Sequence, residues 1–476
     1  MPNYVFYDFE TTQGMSGNIF WGEITQAAAV LTNDDFQELD RYEGSCRLSA
    51  GIIPESMAML ISHTTPKMLK ERNLSNYNLL RQLFEKMSSW KNSIFFGYNS
   101  CEFDENVFRS SLFQNLEYPY LTVTNGNERG DILGLARCSH LYYPDCIKTP
   151  IKKKSNNPIF KLQELAPMNG ITQFKHHNAI DDVLATIELA KILKKNAPNV
   201  WKASLLTTNK DRCLRIIKEQ LLFCSSFFYG RAKPFVLTYV CEHPWGYPVT
   251  FDTKEDPNYY FNLPMQDLKK EIFFGKPKVF KTIKHKNHPI IMDVSYGINF
   301  DSYKKLGVNI LQQRAKQIRE NKNFCEKVYT ILNDDVREKE ETKSQEDVHA
   351  EASIYKGKFA SKQDSTIMSD FHKAEWKDKF SILQKFQDER YKFFAKKILY
   401  KENPDSLPKD EYEAIRKEIA KRVLSTNNEP WNTIPRTFSE IDTLRNKFKD
   451  DEEKLKALEE IDSYMQELEK MYQKAS

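Results

Sequence analysis

No two cysteines in this 476-residue chain form a CxxC pair, although eight are present: Cys46, Cys101, Cys138, Cys146, Cys213, Cys224, Cys241 and Cys325. Spacing this irregular argues against a zinc site or a disulfide framework and suits a reducing compartment. No apolar run approaches the roughly 18 residues needed to span a bilayer. The first residues enter a strand pattern directly, with no signal-peptide character. The expectation is a cytoplasmic protein with no membrane partner. Neither charge sign dominates, since 70 Lys and Arg stand against 66 Asp and Glu for a net charge of +4. Bulk charge therefore does not announce a nucleic-acid binder, although a local basic channel remains compatible with it. Internal repeats are also lacking. What is present, 40% apolar and 29% charged residues over this length, is the composition of a soluble globular protein with two or three domains.

Residues 1–197 alternate strand and helix patterns. "VFYDFE", "ITQAAAVLT", "YEGSCRLSA" and "SIFFGYN" read as strands. "PKMLKERNLSNYNLLRQLFEKMSSW", "FDENVFRSSLFQNL" and "DDVLATIELAKILKKNAP" read as helices by apolar recurrence at three and four. The order predicts an α/β (α+β) domain, a sheet covered by helices. "IKTPIKKKSNNP" reads as an exposed basic loop. From about 198 the texture becomes aromatic and rich in turns, as in "LLFCSSFFYGRAKPFVLTYVCEHPWGYPVTFD", which predicts a small barrel or sandwich. "LNDDVREKEETKSQEDVHAEAS" reads as a helix end and then a linker, from about 333. Residues 351–476 read as helical. The charge-rich C-terminal helix reads as a bundle member with one solvated face rather than a coiled coil.

Three segments carry the chemistry. Asp8 and Glu10 lie two apart on a strand and so share a face, where like charges repel unless a cation sits between them. Asp104 opens a helix after "FFGYNSCEF", with Asn99 at a strand end beside it. In "FKHHNAIDDVLATIELAK" a histidine precedes by five residues an acid opening a helix, and two registers fit: His176 with Asp181, or His177 with Asp182. Four carboxylates and an imidazole without a thiolate select Mg²⁺ or Mn²⁺ over zinc. Two such ions about 3.5–4 Å apart clamp both oxygens of a phosphoryl displacement. An imidazole neutral at pH 7 suits the general base.

"DFETT", "YNSCEFD" and "HNAIDD" resemble, in order and spacing, the three motifs of the DEDDh exonuclease superfamily, and the chain resembles within it the bacterial exodeoxyribonuclease I family end to end. "FKLQELAPMNGI", "LGVN", "YKGKF" and "FQDERYKFFAKKILYKENPDSL" extend the resemblance. It implies a ribonuclease H-like exonuclease domain (1–197), an SH3-like barrel domain (198–350, linker included) and a C-terminal helical domain (351–476). It implies Asp8, Glu10, Asp104 and Asp182 as ligands of two Mg²⁺ ions, replaceable by Mn²⁺, and His177 as the base. The implied reaction is 3′→5′ hydrolysis of single-stranded DNA to 5′-mononucleotides, in DNA repair and recombination, by a monomer. Implied strand contacts are Thr11, Ser62, Thr65, Asn99, Lys161, Tyr355, Lys358 and Phe359.

Two departures stand out. The loop Ser62–Pro66 reads "SHTTP", with His63 where the family has a glycine, and Lys161 replaces an arginine, keeping charge but losing a bidentate fork. The family also binds single-stranded-DNA-binding protein through a basic pocket, yet "PIIMDVSYGINFDSY" is poor in positive charge where that pocket would lie. The alternatives are a DEDDh exoribonuclease and a catalytically silent strand-binding scaffold. Nothing in the motifs reads a 2′-hydroxyl.

Overall fold

The computed structural model describes residues 2–13, 19–174, 178–342 and 348–475. Strand β1 (Asn3–Thr11) lies at the centre of a mixed five-stranded sheet. It pairs antiparallel with β2 (Ile24–Thr32), which pairs antiparallel with β3 (Glu38–Ser45). On its other side it runs parallel to β4 (Ser93–Gly97), and β4 is parallel to β5 (Glu128–Asp131), giving the order β3-β2-β1-β4-β5.

Both faces of β1 are covered. Val5, Tyr7 and Phe9 pack with Leu79, Leu83 and Met87 of the helix Asn76–Ser89. Tyr4 and Phe6 pack with Ile180, Val183 and Ile187 of the helix Ala179–Asn196. Asp8 and Glu10 share the parity of Tyr4 and Phe6, so they continue the second face beyond its apolar part. The helix Ala179–Asn196 runs back along β1. Its first turn carries Asp182, while Lys194 near its far end pairs at 2.9 Å with Asp34, which accepts the Tyr4 hydroxyl hydrogen bond.

Several elements differ from their sequence reading. The segment 66–90 holds two helices, Pro66–Glu71 and Asn76–Ser89, because Ser75 caps the second by accepting from the Asn78 N–H. "YEGSCRLSA" overlaps β3 only in its first four residues. Past residue 197 come two helices, Pro198–Thr207 and Lys210–Glu219, before any strand. Trp201 explains the first. Its ring lies 5.7 Å from Tyr4 and 5.9 Å from Phe96, so the first core continues past residue 197.

The aromatic region forms a second, antiparallel sheet of β6 (Phe223–Phe228), β7 (Ala232–Glu242), β8 (Pro248–Asp252), β9 (Phe280–Thr282) and β10 (Ile291–Met292), in the order β10-β6-β7-β8-β9. The helix Lys322–Thr342 packs against it through Phe324, Val328, Ile331 and Leu332. Val336 and an Asp335–Lys339 pair one turn apart carry this helix well beyond residue 333, where the polar sequence reads as linker.

Six helices follow between Lys362 and Gln473. The last, Glu452–Gln473, packs with Ile434–Lys447 and with Met59 and Leu60 of the first region, as a bundle member does. All eight cysteines are free thiols. Among the described residues no helix is long and apolar enough to cross a membrane.

Candidate active site

At the C-terminal end of β1 three carboxylates converge. Asp8, Glu10 and Asp182 each offer an oxygen, and these oxygens lie within 4.8 Å of one another. Strand parity supplies the first two. The third comes from the helix above, whose N-terminus is capped by Asn178 accepting from the Ile180 N–H.

Asp104 stands beside this group rather than within it. Strand β4 leaves β1 at Gly97, where a Cβ would lie 2.5 Å from Ser100 Cβ and 3.0 Å from the Tyr7 carbonyl. The chain then turns through Asn99, left-handed at φ +68°, and enters the helix Asp104–Gln114. With β4 gone, the Phe9 N–H donates to Asp104 Oδ1 at 3.3 Å.

Proton affinity in the cluster is high. Burial, then the charges of Asp104, Asp182 and Glu10, raise Asp8 well above the usual carboxylate range. Burial, then Asp182 and Asp104, push Glu10 up to about 8. Asp104 is pushed up to about 7 by burial, against the lowering effect of backbone hydrogen bonds that include the one from Phe9. Among the described residues no salt bridge reaches Asp8 or Glu10. Half-buried oxygen donors that repel one another fit a hard divalent cation, which restores their ionised forms.

The sequence reading missed two supporting residues. Asp131 is buried and accepts from the Asn99 and Cys101 N–H groups, both at 3.1 Å, fixing the turn that leads to Asp104. It also caps the helix Ile132–Tyr142 through the Leu133 N–H at 2.9 Å, and its own N–H donates to His288 Nδ1 at 2.9 Å. An Asp directly before the apolar "ILGLA" is an N-cap signal that could have located it. The second is Arg109, whose guanidinium lies 4.8 Å from the Tyr120 ring centre and pairs with Glu105 at 2.6 Å. Glu105 and Arg109 sit one turn apart, a spacing legible in the sequence.

The remaining expected residues are dispersed. Thr11 adjoins the site, with its hydroxyl donating to the Gln13 carbonyl. The Ser62 hydroxyl donates to the Ala58 carbonyl and shares a second hydrogen bond with the Thr64 hydroxyl, and Thr65 caps the helix Pro66–Glu71, so both side chains serve local turns. His63 between them has φ +49°, a left-handed position that glycine occupies with less strain. Asn99 is placed by Asp131. Lys161 is exposed, 3.8 Å from Glu164. The Tyr355 hydroxyl donates to Asn106 Oδ1 at 3.1 Å. Phe359 is 75% exposed and meets the Tyr120 ring edge-on at 5.5 Å. Lys358 lines, with Tyr118, Tyr120 and Phe359, a cavity of about 680 Å³. His176 and His177 lie outside the described residues, and the exposed loop that carries Lys152–Lys154 closes on an Ile151–Pro158 bridge.

Residues 347–468 match the family described as the Exonuclease I C-terminal domain. The exodeoxyribonuclease I of Buchnera aphidicola (subspecies from Acyrthosiphon pisum) is 29% identical over 233 residues, 48% of this chain and 55% of that relative. In sequence, the chain thus spans about half the length of the first curated relatives it matches. A moderately thermophilic Exonuclease I from Methylocaldum szegediense has the same fold, with a TM-score of 0.83 at 20% identity over 98% of this chain and 100% of that one. Escherichia coli Exonuclease I in complex with a dT13 oligonucleotide gives 0.81 at 20% identity, again over 98% and 100%. An ExoI/SSB-Ct complex has the same fold, at 0.80 and 20% identity over 98% and 99%.

Proposed function

The chain is related to exonuclease I in fold over nearly its whole length and in sequence through its C-terminal domain, and from that premise we propose that it is a divalent-cation-dependent 3′→5′ exonuclease on single-stranded DNA. The observation that carries this reading is the meeting of Asp8, Glu10 and Asp182 at the end of β1. The proposed division of the chain is an exonuclease domain to about 197, with the helix Pro198–Thr207 packed on its core, a barrel-like domain to 350 and a helical domain beyond.

Asp8, Glu10 and Asp182 would hold the cation, with Asp104 beside them. When bound, Mg²⁺ or Mn²⁺ supplies positive charge at the attacking and leaving oxygens of the phosphodiester. Exclusion of water by the Tyr7, Phe9 and Phe108 packing beneath strengthens every charge interaction above it. His177, five residues before Asp182, accepts the proton of the attacking water in this reading. Tyr120 and the exposed Phe359 offer base-stacking faces in this reading, with Lys358 beside them for phosphates. Thr11, Ser62, Thr65, Asn99, Lys161 and Tyr355 complete the proposed strand contacts.

A protein of this fold has been solved with the SSB-Ct segment, which supports single-stranded-DNA-binding protein as a partner. A location in the cytoplasm fits eight free thiols, seven of them buried, and a monomer is the proposed state. The decisive test incubates the protein with 3′-labelled single-stranded DNA, matched RNA and duplex DNA, with Mg²⁺ and then with a chelator. The expected result is release of mononucleotides from single-stranded DNA alone, abolished by the chelator. Preference for RNA overturns the substrate, and activity surviving the chelator overturns the mechanism.

A further inference from the structure

Residues 353–359 form a strap between the helical region and the first sheet domain, and one side chain shapes it. Arg390 lies in the first turn of the helix Glu389–Glu402, whose cap, Asp388, accepts from the Arg390 N–H at 2.9 Å. The Asp388 carboxylate also takes Arg390 Nε at 3.0 Å and Nη2 at 2.7 Å. The other guanidinium donors all turn to strap carbonyls. Nη1 donates to Ser353 O at 3.3 Å and Lys356 O at 3.1 Å, and Nη2 donates to Lys358 O at 2.8 Å. All five N–H groups of the guanidinium are therefore engaged, three of them by the strap.

The strap backbone is cut to fit. Gly357 has φ +105°, and a Cβ there would lie 3.1 Å from Arg390 Nη1. Only glycine provides both that backbone and that approach. The guanidinium also lies 5.5 Å from the ring centre of Phe113 in the first domain, so one group touches both bodies that the strap joins. Just upstream, Glu351 is buried between Lys397 at 3.2 Å and Arg422 at 3.0 Å, which anchors the strap's start. The strap then delivers Tyr355 to Asn106 and Phe359 to Tyr120.

We propose that Arg390 is a positioning residue: by gathering three strap carbonyls it presents Tyr355, Lys358 and Phe359 to the strand, and so sets affinity for long substrates without entering the chemistry. The inference rests on the exonuclease reading for its consequence but not for its geometry, and the test separates the two. Arg390→Gln removes the fork, and Gly357→Ala obstructs it while leaving the arginine in place. In the full chain, trypsin should cut after Lys356 and Lys358 about tenfold faster in either variant, as loss of charge-assisted hydrogen bonds predicts. On single-stranded DNA spanning the strap, KM should rise about tenfold with kcat held within about twofold. Arg390→Lys should recover part of the affinity. Trypsin cutting at the wild-type rate in both variants overturns the proposal, as does a fall in kcat at unchanged KM. If the wild-type protein degrades no DNA, the exonuclease reading fails, and the trypsin rates alone then decide whether Arg390 holds the strap.

Discussion

Asp104 and Glu105 are neighbours in the chain, both buried, and their surroundings are opposite. Burial works against the charge of Glu105, yet Arg109 at 2.6 Å and Arg129 at 3.0 Å, with hydrogen bonds from Thr122 and Tyr7, hold it below the usual carboxylate range. Asp104 is pushed up to about 7, and its charge presses in turn on Asp8 and Glu10. A buried acid that the chain neutralises with its own cations is part of the scaffold. A group of buried and half-buried acids that raise one another's proton affinity instead fits the proposed role of holding a cation from outside. One peptide bond separates the two kinds of carboxylate.

Substitutions can break that contrast. Asp182→Ala should lower hydrolysis on the order of a thousandfold, the scale seen when transition-state charge stabilisation is lost, while strand binding stays within a few fold. Equal losses of folding and binding, read by circular dichroism and fluorescence anisotropy, would make Asp182 a mere helix cap. Glu105→Ala strands two buried arginines and should cost about 3–5 kcal/mol in chemical denaturation. Asp104→Asn, one residue away, should leave metal-free stability unchanged or raise it by about 1 kcal/mol, because it removes repulsion. A comparable loss in both variants would erase the distinction.

A smaller effect sharpens it through pH. Burial raises the proton affinity of Glu351, but Lys397 and Arg422 overcome this and bring it to about 2, below the ordinary 4.5 of a glutamate. The unfolded chain therefore binds the proton first. The stability from Glu351 is complete above about pH 4.5 and is lost as pH falls towards 2. Glu351→Gln should flatten the stability profile in that window and leave its shape above pH 5 unaltered, as measured by denaturation at stepped pH.

The acidic pair on β1 and the full extent of β2 were legible because parity and apolar runs are local properties. The register of the histidine motif was not local, and it took a family resemblance to choose Asp182, which the structure then places against Asp8 and Glu10. Asp104 was legible as a helix-opening acid, but its hydrogen bond to the Phe9 N–H depends on where β4 departs from β1. The helix around Trp201 escaped notice because Trp201 packs on Tyr4 and Phe96, each more than 100 residues away in sequence. The extension of Lys322–Thr342 was hidden by polar residues that only the second sheet makes helical. Arg390 lies in a segment that carries the resemblance, but its hold on the strap was not legible, since three of its donors go to backbone carbonyls that carry no sequence identity.

Titrating Mn²⁺ into the folded protein, with the free ion followed by electron paramagnetic resonance, reads cation binding at the carboxylates without relying on catalysis. Saturable binding to the wild-type chain is expected, lost in Asp182→Ala and in Glu10→Gln and retained in Glu351→Gln. Undiminished Mn²⁺ binding after loss of Asp182 or Glu10 would show that these carboxylates hold no cation.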